Sequence, residues 1–198
     1  NDKVDARKIA LLYRFQELRS TNIPNEDIEC LRSLCRQYYK LSDELTAYKN
    51  RLTGIVDQLM LNFKNVFPNI FSKAALAVLE EYPTPTHILK ANRNKLIALI
   101  QKNSHRSLKW STAKYELLVS KARDFEPLSI NNSSNIAMLS VYISMIRTLE
   151  ENLEKVLKAI RLLIAEDMAK DMPMLALTLE LLQSLPGIGL LSAATILA

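Results

Sequence analysis

Glycine, cysteine and histidine are scarce in this chain, and each scarcity removes a class of reading. The 198 residues include three glycines, two cysteines and two histidines. Three glycines beside 48% apolar residues argue against disorder and for a folded, mostly helical protein of one or two domains. Cys30 and Cys35 lie on one predicted helix, where their side chains diverge and cannot reach disulfide geometry. Both are read as buried or partly buried thiols. With His87 and His105 as the only histidines, no His/Cys zinc cluster can be assembled. There is no run of about 18 uncharged apolar residues and no basic-then-apolar leader, so neither a membrane span nor a signal peptide is expected. The chain is read as cytoplasmic. It starts on Asn1 and stops at Ala198 inside an apolar helical run, which reads as a piece of a longer protein.

What is abundant is helical periodicity. Ile28, Leu31, Cys35, Tyr38, Ser42, Leu45, Lys49, Leu52, Val56, Leu59, Phe63 and Val66 follow each other at spacings of three and four, a heptad seam interrupted by Ser42 and Lys49. A second seam runs through Ile136, Leu139, Ile143, Ile146, Glu150, Leu153, Leu157, Ile160 and Ile164. The expected fold is all-α: a long antiparallel coiled-coil hairpin with a small helical insert at its tip and a terminal helix-hairpin-helix-like element. At 1.5 Å per residue the first helix would span roughly 58 Å, so an elongated chain is expected. Tyr13, Phe15, Leu34, Leu41, Ile55, Leu149, Val156 and Leu163 fall outside the strict seams and widen the apolar stripe beyond what one partner covers. That predicts a homodimer through the coiled coil.

Ahead of the first seam, Val4, Ile9, Leu12, Phe15 and Leu18 predict a helix of about 18 residues that ends before the break at Asn22 to Pro24. Asp2 and Asp5 open it. Their spacing puts both carboxylates on one face, which suits a hard divalent cation such as Mg2+. The same two acids would also serve as a helix cap and a dipole partner without any metal.

Between the seams, residues 68–132 form an insert with four predicted helical pieces, Ile70 to Tyr82, Pro85 to Lys90, Asn92 to Lys102 and Ser107 to Phe125. From Thr84 to Glu126 nine basic residues (Lys90, Arg93, Lys95, Lys102, Arg106, Lys109, Lys114, Lys121 and Arg123) face three acids, a local +6 against +5 for the whole chain. The positive charge is therefore concentrated where a polyanion could meet it. An ordinary solvated lysine-rich surface is the competing reading. The first seam helix also interleaves Arg32, Arg36, Lys40, Lys49 and Arg51 with Tyr38, Tyr39 and Tyr48, a mixture that can grip a nucleic-acid backbone or simply form core and solvated flank. After Pro173 the chain reads as helix, a tight turn at Pro186 to Gly189, and helix. Turns of this L-P-G-I-G kind let backbone amides approach a phosphate through glycines such as Gly187 and Gly189.

Three segments together, NDKVDARKIA, LRSLCRQYYKLSDELTAYKNRL and LLQSLPGIGLLSAATILA, resemble the insertion-sequence 110/116/902 transposases in order and spacing. The chain departs at Leu190, where that family often carries proline. The resemblance implies a RuvC-like domain with a D-E-D-D metal site, a helical coiled-coil region and a C-terminal transposase domain with a catalytic serine. It divides this chain into the end of the RuvC-like domain at 1–23, the first coiled-coil helix at 24–67, the basic insert at 68–132, the second coiled-coil helix at 133–172 and the start of the C-terminal domain at 173–198. It carries Asp2 and Asp5 over as the last two metal-binding acids, with Mg2+ as cofactor of the longer protein. It also implies a recombinase that moves its element by serine-dependent strand exchange, with DNA and a structured guide RNA as partners; the homodimer expected from the seams leaves a higher oligomer of the intact protein open. Lys90, Arg93, Lys95, Lys102, Arg106, Lys109, Lys114, Gly187 and Gly189 are the candidate nucleic-acid contacts. A non-catalytic helical adaptor that dimerises and binds nucleic acid, or a purely structural coiled coil, are the competing classes.

Overall fold

A computed structural model describes residues 2–15, 25–126 and 133–198. Among the described residues all regular structure is helical, in ten helices: α1 (Asp2–Arg14), α2 (Glu26–Leu59), α3 (Phe63–Val66), α4 (Lys73–Glu81), α5 (Pro85–Lys90), α6 (Arg93–Ser104), α7 (Leu108–Phe125), α8 (Ser133–Met168), α9 (Met174–Gln183) and α10 (Leu190–Leu197). The all-α expectation holds. The chain divides into two units, residues 36–159 and residues 1–35 with 160–198.

The larger unit is built on the apolar faces of α2 and α8. Leu52, Val56 and Leu59 from α2 share one core with Leu139, Ile143 and Ile146 from α8, joined by residues of every helix between them. The side-chain contacts between the two helices run antiparallel, with Gln58 accepting from Asn135 at 2.8 Å and the rings of Tyr48 and Tyr142 5.8 Å apart. The helix passes Ser42 without a break, and Thr46 donates to the Ser42 carbonyl at 3.0 Å. Lys49 and Glu150, the polar interruptions of the two seams, meet each other at 2.9 Å.

The first seam helix is shorter than its periodicity suggests. It ends at Leu59, not at Val66, so 34 residues give a length of roughly 51 Å. Asn62 is the reason: its φ of 71° is left-handed, a conformation that Asn tolerates better than most residues and that stops a helix. The turn re-aims the chain without losing the seam, because Phe63 and Val66 are buried in the short α3 that follows. The second long helix likewise stops at Met168, short of the expected 172. Leu149, expected among the residues left over for a partner chain, is instead buried within its own chain.

Three of the four insert helices start on a Ser or Asn side-chain cap. Ser72 accepts from Ala75, Asn92 from Asn94 and Lys95, and Ser107 from Trp110, each capping amides that lack a partner in the first turn. In α5, Thr84 caps the His87 amide and Pro85 sits in the first turn, where its missing N–H is no loss. Every residue of α4 from Ala74 to Leu79 is buried. Its end is held by Arg147 of α8, which donates two bonds to the Glu80 carboxylate at 2.9 and 3.0 Å.

In the smaller unit α1 buries none of its residues. The rest of the predicted first helix, including Leu18 and the break at 22–24, lies outside the described residues. Asp167 is buried near the end of α8 and accepts from the Ala176 amide at 2.9 Å, capping α9 in place of Pro173, which has no side-chain donor or acceptor. Lys170 bridges Asp167 and Asp27, and its hydrogen bond to the Asp27 carboxylate, the strongest influence on it, raises the Lys170 pKa. Arg32 donates to the Ala198 carbonyl. Cys35 is buried, and that burial pushes its thiol pKa up, whereas Cys30 is exposed.

Leu52 has no exposed surface, while Leu45 is only half-buried. Leu52→Asp should therefore lower stability by several kcal/mol, since it places an unpaired charge in the core. Leu45→Asp should lower it measurably less, and thermal melting of the two variants checks the order.

Candidate nucleic-acid interface

The helices of the insert bury one face and leave the other charged. In α6 the sequence alternates so that Leu96, Ile97 and Ile100 are buried while Arg93, Lys95 and Lys102 are exposed. His105, left-handed at φ 53°, ends α6 and turns the chain into α7, and Arg106 and Lys109 stand exposed around that corner. Lys90 is exposed in the last turn of α5.

The nine basic residues are not equivalent. Arg93 lies 3.7 Å from Glu116 and over the Tyr115 ring, and Lys121 pairs with Asp124 at 3.1 Å. Lys90, Lys95, Lys102, Arg106 and Lys109 make no ion pair with a described residue, so their charge is the part a polyanion would meet uncompensated. Lys114 is half-buried, donates to the Val66 carbonyl at 2.5 Å and lies 5.6 Å from the Trp110 ring centroid and 6.0 Å from that of Phe67. It is tied into the fold, unlike the solvated cations around it.

Lys114 also lines a cleft of about 350 Å³ together with Phe67, Lys73, Asn103, Arg106 and Trp110. Of these, only Lys114 and Arg106 are among the residues that the sequence pattern singles out. Lys73 lies before the stretch over which the basic charge accumulates. Trp110 is the only tryptophan in the chain and follows Lys109 directly, which was the available signal.

The remaining candidates sit in the other unit. Asp2 and Asp5 lie in the first turn of α1, both exposed and three residues apart. Two carboxylates on one face offer the hard oxygen donors that Mg2+ prefers, and they fit as part of such a site. Among the described residues no third His, Cys, Asp or Glu joins them. Gly187 and Gly189 form the exposed turn between α9 and α10. Gly187 has φ 89°, which a residue with a side chain rarely adopts, so the turn itself demands glycine there. Gly189 is extended, and neither glycine has an atom within 4 Å of where a Cβ would stand.

The described residues form an all-α protein whose insert carries exposed cations. Residues 1–61 match the family model of the DEDD transposases of insertion sequence 110, described as a transposase. The match takes in Asp2, Asp5 and the whole of α2, and it is consistent with a fragment of a transposase of that family. It supports a transposase role. No curated protein and no solved structure matches the chain. Among the described residues no helix is long and apolar enough to cross a membrane.

If the uncompensated cations meet phosphates, replacing Lys102, Arg106 and Lys109 by Glu should weaken binding to every sequence alike, the mark of backbone recognition. The salt dependence should also flatten, by about 0.9 log units per tenfold salt for each duplex-DNA phosphate that the protein no longer neutralises. Fluorescence anisotropy at several salt concentrations reads both.

Proposed function

We propose that this chain is the central part of a DNA transposase that excises and inserts a mobile element. The observation that carries the reading is the family match over residues 1–61, which contains the D-x-x-D-A of Asp2 and Asp5. In the longer protein these two aspartates complete a RuvC-like site with acids from outside this chain, and a Mg2+ ion held there would supply charge stabilisation for phosphoryl chemistry. Asp2 and Asp5 contribute oxygen donors three residues apart, in the first turn of a helix that buries none of its own residues. Strand exchange through a serine outside this chain completes the reaction. The fragment by itself is inactive, because it holds two of the four acids of such a site and two alone do not fix a metal ion in place for phosphoryl transfer.

The basic insert is the nucleic-acid-binding part, taking DNA and a structured guide RNA by their backbones, with the Gly187 to Gly189 turn as a second phosphate contact. The protein works in the cytoplasm and assembles at least as a homodimer. Support for self-association comes from Tyr13 and Phe15, which are 77% and 66% exposed, and from the half-buried Leu34, Leu41, Ile55, Val156 and Leu163.

In the intact protein, Asp2→Ala or Asp5→Ala should abolish recombination while leaving the melting temperature and nucleic-acid affinity nearly unchanged. An active double mutant would return both residues to a helix-capping role. Light scattering at high micromolar concentration should show a dimer of the 198-residue chain, and a monomer there would remove the self-association part of the reading.

A further inference from the structure

The cleft at the α6–α7 corner differs from two other clefts of its unit in the charge of its walls. One neighbour is lined by Glu150, Glu151 and Glu154 beside Lys73 and Arg147, and another mixes Arg93 and Arg123 with Glu116 and Asp124. Among the described residues that line it, the corner cleft has Lys73, Arg106 and Lys114 and no carboxylate. Its remaining walls combine an indole, a phenyl ring and the polar side chains of Asn69, Ser72, Asn103 and Ser104. A volume of about 350 Å³ is at the small end of ligand clefts, which run roughly 300–1,000 Å³.

We propose that this cleft receives one unstacked nucleotide of a nucleic-acid single strand, its base against Trp110 and its phosphate among Lys73, Arg106 and Lys114. The proposal rests on the nucleic-acid-binding reading of the insert and adds to it a preference for unpaired strand. Three cations without an acid suit a phosphate, and a cationic groove combined with an aromatic ring is the general means of holding single strands. A base inside a duplex is stacked on its neighbours and cannot reach a recessed ring, whereas a looped or bulged base can. The cleft is prepared for this. Lys114 is already fixed by its bond to the Val66 carbonyl, so its ammonium does not have to be ordered when the phosphate arrives. Asn103 donates its amide to the Leu99 carbonyl at 2.9 Å, which leaves its side-chain oxygen to accept from a base edge.

Because Trp110 is the only tryptophan, the emission of the whole chain reports this one site. The 198-residue chain is titrated with an unstructured oligothymidylate, with a blunt duplex of the same length and with thymidine monophosphate, following emission and anisotropy together. The single strand should quench Trp110, and the duplex should bind through the outer cations without quenching. Trp110→Ala should weaken single-strand binding about 5- to 150-fold, the range found for bases stacked on aromatic rings, and leave duplex binding unchanged. Trp110→Phe should restore most of the loss and remains informative if the alanine variant does not fold. Single-strand binding without quenching, or equal losses on both forms, overturns the proposal while leaving the insert a backbone-binding surface. Quenching by the monophosphate as strong as by the strand overturns it in favour of a free-nucleotide site. If neither strand form binds at all, the proposal and the nucleic-acid reading of the insert fall together.

Discussion

The larger unit depends on one apolar face that outlasts the helix carrying it. Leu52, Val56 and Leu59 end α2 fully or almost fully buried, and the same spacing continues through Phe63 and Val66 after the backbone has turned at Asn62. Burying side chains of this size stabilises a fold by about 1.5–3 kcal/mol each, so the run outweighs the cost of one left-handed residue. The short α3 then delivers Phe67 and the Val66 carbonyl to the edge of the insert, where Lys114 meets both. The core thereby positions the first cation of the candidate cleft.

Charge is arranged around this core in two ways. Where cations are paired with acids, as in Lys49 with Glu150, Arg147 with Glu80 and Lys64 with Asp57, they join elements of the larger unit or steady a turn, and exposed pairs of this sort contribute at most about 1 kcal/mol each. Where they pair with no acid among the described residues, as at Lys90, Lys95, Lys102, Arg106 and Lys109, they are exposed and their charge acts on the surroundings. In the smaller unit a buried acid joins elements in the same way: Asp167 caps α9 and is held by Lys170.

Helix type and, to within a few residues, helix position were legible in the residues, because a spacing of three and four and a Ser, Thr or Asn before each insert helix are local signals. Asn92 and Ser107, read as the first residues of their helices, are the caps of α6 and α7. The end of α2 was not legible, since an apolar seam records which side chains are buried and not whether the backbone between them stays helical. The pairing of Lys49 with Glu150 was equally hidden: each looked like a separate flaw in its own seam, and only the packing of α2 on α8 makes them one interaction. For the site, counting charge found the exposed cations but could not separate them from Lys114, whose distinction is a bond to a carbonyl 48 residues away. Trp110 and Lys73 come from different helices, and no spacing rule links them.

The burial of α4 sets what this protein can become. Six consecutive residues, Ala74 to Leu79, admit neither bulk nor charge, so that helix is closed to most sequence drift. The cationic faces of α5, α6 and α7 touch solvent instead, where substitutions usually change stability by less than about 0.5 kcal/mol. A lineage carrying this fold is therefore free to rewrite the charged surface, and with it the choice of polyanion, a few codons at a time, while the scaffold beneath stays as it is.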